Sequence, residues 1–248
     1  GVAVAAAVLV AWTACLVYLL TVDLASFPPW LVPPAMLLMT FLYVGMFITA
    51  HDAMHGSVKP GARGLNRAVG TAYVTLYAMF SYQGLFEKHW EHHRHPGTDR
   101  DPDHHDGVHR GFLRWYARFM RNYLRLPQLV GMAVAFNVMW LVLGLELANI
   151  ILFWIVPAFA STFQLFYFGT YRVHREPPGG HTNVHRANSS DYSSPVSFLT
   201  CYHFGYHLEH HMYPGMPWWR LPWTRRTLKA GGDVGVRAVS VPAEARYG

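Results

Sequence analysis

Eight of the sixteen histidines in this chain of 248 residues fall into three short strings. The first is an HxxxH (His51, His55); the other two are HxxHH (His89, His92, His93 and His207, His210, His211). On a helix, residues three and four apart share a face, so each string aims two or three imidazoles at one point. Protonated rings gathered in this way repel one another, and neutral buried rings need partners for their nitrogens. A bound metal meets both conditions. One structural zinc takes four ligands, so eight rings imply two ions. Imidazole suits Zn, Cu, Fe and Ni alike, so the ligand type leaves the metal open. A ligating ring usually donates its second N–H to an acceptor. Asp52, Glu91 and Glu209, inside the strings, are the expected acceptors. Asp99, Asp101 and Asp103 either accept from the second string or balance its arginines. His203, four residues before His207, is a further ligand or a donor behind the ligands. His95, His104, His105 and His109, with His181 and His185 in the 176–195 loop, are read as solvated loop or lid.

The elements that must bring these strings together are apolar. Hydrophobic residues make up 52% of the chain and charged residues 14%, against roughly 25% charged in soluble domains. That balance excludes intrinsic disorder and a coiled coil. Residues 2–22 and 30–50 carry no charge, and each spans about 30 Å as a helix. The first lacks a basic leader and an obvious cleavage site, which reads as a span rather than a signal peptide. A third tract, 129–169, is long enough for two helices, with Gly144, Glu146 and Asn149 marking the expected turn. The fold class is therefore all-α, a polytopic membrane protein with four transmembrane helices. Of the 20 Lys and Arg, 11 lie in 51–128 and 9 in 170–248. By the positive-inside rule, both segments and both termini are expected in the cytoplasm. The histidine strings then meet just below that membrane face.

Residues 68–86 are expected to form an interfacial or re-entrant helix. Trp218, Trp219 and Trp223, interleaved with arginines, are read as an interfacial belt in contact with membrane lipid. The basic residues beside the spans are explained by topology, which argues against nucleic acid as a partner. Cys15 and Cys201 make no disulfide framework. Residues 1–230 are expected to form one integral-membrane domain, with 231–248 a loosely held tail.

The order HxxxH, HxxHH, HxxHH resembles that of the membrane-bound di-iron desaturase, hydroxylase and ketolase superfamily. Within it, FITAHDAMHG, HWEHHRHPGTDRDPD and SFLTCYHFGYHLEHHMYPGMPWWRLP resemble the bacterial β-carotene ketolases, across about residues 41–222. That resemblance implies two Fe ions, O2 as co-substrate and a place in the bacterial inner membrane. It also implies successive hydroxylations at C4 of the β-ionone ring, taking β-carotene to echinenone and canthaxanthin. The eight string histidines carry over as ligands. The superfamily's additional histidine, from the end of a span, matches His174 in FGTYRVH. With no dinucleotide fingerprint and no cysteine cluster, an external electron donor such as ferredoxin is expected, docking on the basic face. The lipophilic carotenoid calls for an apolar pocket. The alternatives are a carotenoid hydroxylase or fatty-acyl desaturase/hydroxylase on the same scaffold and, more remotely, a His-rich metal transporter. The last is disfavoured because none of the spans carries Asp, Glu, Lys, Arg or His.

Overall fold

The computed structural model describes residues 1–235; most of the expected tail, from residue 236 on, lies outside the described residues. In chain order the helices are α1 (Val2–Thr21), α2 (Val32–Met54), α3 (Arg63–Ala78), α4 (Tyr82–Arg94), α5 (Phe112–Tyr123), α6 (Leu126–Val142), α7 (Leu147–His174), α8 (Ser194–Cys201), α9 (His207–Met212) and α10 (Leu221–Lys229). Among the described residues there is no strand, only an isolated bridge between Ser189 and Tyr206. The fold is all-helical, as expected.

Three helical stretches are long and apolar enough to cross a membrane: α1, Pro29–Met54 (α2 with its entry turn) and α7. A fourth candidate is the pair α5 and α6, which meet at an 88° bend. The chain is a membrane protein. Pro33 and Pro34 sit in the first turn of α2, where the absent N–H has no intrahelical partner to lose. Pro29–Met54 and α7 have 26 and 28 residues, about 39 and 42 Å at ~1.5 Å per residue. A hydrocarbon layer is about 30 Å thick, so each has turns to spare. Those turns include His51 near the end of α2 and His174 at the end of α7.

Residues 68–86 form two helices rather than one. α3 ends at Met79, whose left-handed φ of 56° breaks the run before Ser81 caps α4. The two helices then pack closely: Gly70 of α3 lies so near the Tyr82 ring of α4 that a Cβ there would stand 2.0 Å away. α3 is not among the helices long and apolar enough to span. Its buried face, with Asn66, Tyr73, Val74 and Tyr77, joins the core that α1 and α2 build. Tyr73 donates to the Ala5 carbonyl, and Tyr43 of α2 meets both Trp12 and Tyr77 edge-on.

Two expectations are corrected here. Asn149 does not mark the turn. The chain reverses at Gly144, where φ is +65°, and Asn149 lies buried inside α7. Its side-chain amide donates to the Leu19 and Val22 carbonyls at 2.9 and 2.8 Å, satisfying groups that the end of α1 leaves open. Trp218 does not belong to a lipid-facing belt either. It is buried against Phe198 and Tyr202, while Trp223 remains exposed.

Candidate metal centre

The three strings start from different elements and converge. His51 and His55 leave the end of α2, His89, His92 and His93 the last turns of α4, and His207, His210 and His211 the short α9. With His174 they sort into two groups. One holds His51, His55, His89, His93 and His210; the other holds His92, His174, His207 and His211. Within each group the potential ligand atoms all lie within 4.8 Å of one another. All nine histidines nominated from the sequence are used, none twice.

The inner ring nitrogens crowd together. The Nε2 atoms of His55 and His89 are 2.6 Å apart, and those of His93 and His210 3.1 Å. In the second group His92–His211, His174–His207 and His207–His211 stand at 3.1, 2.9 and 3.1 Å. Two nitrogens bound to one ion at about 2.0–2.1 Å stand roughly 3 Å apart, so the spacing is that of ligands around a shared ion. Orphaned nitrogens point the same way. His51 is buried, yet among the described residues neither of its ring nitrogens has a hydrogen-bond partner. A buried polar group left so is costly, and a cation among the rings removes the cost. Burial, with neighbouring imidazoles adding to it, holds His89, His93, His207, His210 and His211 well below the ordinary histidine range. Those rings are neutral, the form that ligates. The residues fit a pair of imidazole-bound irons.

The outer nitrogens correct the expected acceptors. Asp52 approaches His51 only to 3.8 Å, too far for a hydrogen bond, and accepts instead from the Trp218 backbone N–H at 3.2 Å. Glu91 is exposed. Glu209 accepts from Ser189 and, at 2.6 Å, from Arg225, so it fastens α9 to α10. The carboxylate that meets a string histidine is Asp101, 2.9 Å from His92 Nδ1. Burial opposes charge on His92, whereas Asp101, with Asp103 behind it, favours it; an ion on the ring takes the place of that proton. Asp101 is itself fixed by the Gly97 and Asp103 backbone N–H groups. His174 Nδ1 meets the Arg186 carbonyl at 3.0 Å, a partner that no sequence signal announces. Asp99 is exposed.

The remaining histidines stay outside both groups. His203 is buried beside Tyr206 and Trp218, its backbone left-handed at φ 62°. His104 and His105 are not solvated loop residues; both pack on Trp115. His109 pairs with Asp106 at 2.6 Å. His185 comes nearest, its ring 6.0 Å from that of His211.

A cavity of about 840 Å³ including its mouth opens onto His51 and His89 of one group and His92 and His207 of the other. Its walls are largely apolar and aromatic, among them Phe47, Phe80, Leu85, Phe119, Leu165 and Phe204. Phe204 stands between the groups, its ring 4.7 Å from His51 and 4.8 Å from His207. Its ring fits because residue 169 is glycine: a Cβ there would meet it at 2.6 Å. Neither Phe204 nor Gly169 was singled out from the sequence, although Phe204 lies just before the third string.

The family model described as fatty acid desaturase matches residues 27–136 and 123–234. The chain belongs to that family. It is 45% identical to a beta-carotene ketolase from a Paracoccus species, over 90% of each protein. It is 44% identical to a beta-carotene ketolase from Haematococcus lacustris over 79% of this chain, and 46% identical to a zeaxanthin 4-ketolase from Chlamydomonas reinhardtii over 76%. The algal proteins are longer: the chain spans 62% and 43% of their lengths.

Proposed function

We propose that this chain is a membrane β-carotene ketolase that oxidises C4 of the β-ionone ring in two rounds, giving echinenone and then canthaxanthin. The observation that carries the reading is the apolar cavity that opens onto rings of both histidine groups at once; the similarity to ketolases over most of the chain supports it. In this reading His51, His55, His89, His93 and His210 hold one iron and His92, His174, His207 and His211 the other. The irons would supply dioxygen activation and the oxidation of the C4–H bond, which is weakened because the ring double bond lies next to it.

The chain's own residues do the rest. The cavity wall binds a hydrocarbon that offers no polar handle, through Phe47, Phe80, Phe119 and Leu165. Phe204, between the groups, limits how deep the ring travels. Asp101 and the Arg186 carbonyl fix the tautomers of His92 and His174. In each round a C–H bond becomes C–OH, and one O2, two electrons and two protons also yield one water. After the second round the geminal diol at C4 loses water and leaves the ketone. The electrons come from an external donor of ferredoxin type, which docks on the basic face. That face, both basic segments and the histidine site lie on the cytoplasmic side of a bacterial inner membrane, and residues 1–230 act as one domain.

Pigment analysis after expression in cells that make β-carotene tests the function. Echinenone and canthaxanthin are expected, with oxygen from labelled O2 in the carbonyl before exchange through the diol. Ring alcohols at C3 alone, or action confined to fatty acyl chains, would overturn it.

A further inference from the structure

Among the described residues one carboxylate, Asp103, lines this largely apolar cavity. The other oxygens there are largely committed. The Tyr77 hydroxyl pairs with Ser161 at 2.7 Å, and Thr162 pairs with Tyr116 at 2.6 Å. Asp103 is held by a built frame. Its backbone N–H donates to Asp101 at 2.9 Å, and its carbonyl accepts from the Trp115 indole at 2.7 Å. Asn122 ties down the neighbouring Pro102 carbonyl at 2.8 Å. Oδ1 accepts from the Tyr123 hydroxyl. Oδ2 lies 3.9 Å from His92 Nδ1, beyond hydrogen-bond reach. The side chain keeps 14% of its surface accessible, and Tyr123 lines the same cavity.

A carboxylate on the wall of a hydrocarbon pocket costs free energy and gains nothing from a carotene, which has no hydrogen to donate. The ring alcohol left by one round of oxidation does have one. We propose that Asp103, oriented by Tyr123, forms a subsite that accepts the hydroxyl hydrogen of this alcohol and retains it for the second oxidation. The subsite rests on the ketolase reading and deepens it: a pocket without such an acceptor releases the alcohol, and one with it carries the same carbon on to the ketone. Hydrogen bonds to charged groups favour retention by about 10- to 100-fold.

The test compares the full-length wild type with Asp103→Leu and Tyr123→Phe in β-carotene-producing cells, and measures the ratio of 4-hydroxy products to ketones at matched β-carotene consumption. Purified 4-hydroxy substrate is also supplied to membranes, and KM and kcat are separated. Asp103→Leu removes the acceptor at similar volume. The alcohol fraction should rise about tenfold or more, with KM for the alcohol raised more than KM for β-carotene. Tyr123→Phe keeps the ring against Phe119 and beneath Lys88 and should shift the ratio the same way by less. If Asp103→Leu fails to fold, Tyr123→Phe decides alone. An alcohol fraction equal to wild type in every folded variant overturns the subsite, leaving Asp103 as a prop for the His92 loop. No ketone from the wild type would instead remove the functional reading beneath it.

Discussion

The two histidine groups share helices α4 and α9 and differ in what stands behind their rings. In the four-histidine group, His92 leans on a carboxylate and His174 on a backbone carbonyl, and all four rings are buried. In the five-histidine group the orientation comes from ring against ring. His51 meets His55, His89 and His210 at centroid distances of 4.5–4.7 Å, and Trp90 closes on His55 at 4.9 Å. Among the described residues, no carboxylate stands within hydrogen-bond reach of His51. An outer acceptor fixes a tautomer and strengthens a ligand; ring packing fixes orientation alone. The pair of sites is therefore asymmetric in electronics while sharing one cavity, to which each contributes two rings.

Removing a ring from either group is the largest perturbation and should erase the difference between them. His210→Ala and His211→Ala each take a ring from the centre of one group. Turnover should be abolished in both, and iron per chain should fall by about half, because a site short of a ligand loses its ion. Elemental analysis alongside pigment turnover checks this. Full activity in either variant, or zinc alone in an active enzyme, would sink the two-iron assignment.

The comparison sharpens when only an outer partner is changed. Asp101→Asn keeps the shape of the side chain and removes its charge beside His92. Loss of an outer acceptor typically costs about 10–100-fold in metal affinity or activity, and here the loss should fall on the four-histidine site. Glu91→Gln, on the exposed side of α4, serves as its partner experiment and should leave activity at wild-type level. Equal behaviour of the two variants would remove Asp101 from the ligand-supporting role.

These two experiments also mark where sequence reasoning stopped. Spacing alone named the eight string rings, because HxxxH and HxxHH obey the helical period, whereas His174 came only from the resemblance to the superfamily. The same period explains the failure over acceptors. Glu91 lies one and two residues from His92 and His89, so the helix turns it away from both. Asp101, read from the sequence either as an acceptor for the second string or as a balance for its arginines, lies in a loop nine residues beyond His92, and only the tertiary fold decides between the two. Asn149 misled for a related reason: a polar residue in an apolar tract reads as a break, but its amide had carbonyls of a neighbouring helix to bind. The apolar runs themselves were legible because charge exclusion needs no tertiary knowledge.

The smallest effect expected concerns the divider between the groups. Phe204 touches a ring of each and is carried by a strained segment, in which Tyr202 and His203 both adopt left-handed backbone conformations at φ 48° and 62°. Strain of this kind persists where the surroundings over-determine it. Tyr202 is pinned by Gly45 of α2, where a Cβ would stand 2.5 Å from its hydroxyl oxygen, and by stacking on Phe41 at 4.5 Å. Gly169→Ala forces the Phe204 ring to move, since the new methyl would lie 2.6 Å from it. Overpacking of this type costs about 1–3 kcal/mol, so the protein should remain folded with turnover reduced several-fold. The variant should also release more product oxidised at a carbon other than C4, because the wall that stops the ring has shifted. Adding Phe204→Leu to Gly169→Ala relieves the clash. If the glycine acts through Phe204, the double variant should recover stability toward wild type while keeping the loosened product pattern. Additive losses in stability and a pattern confined to C4 would show instead that Phe204 fills space between the groups without setting where the substrate ring stops.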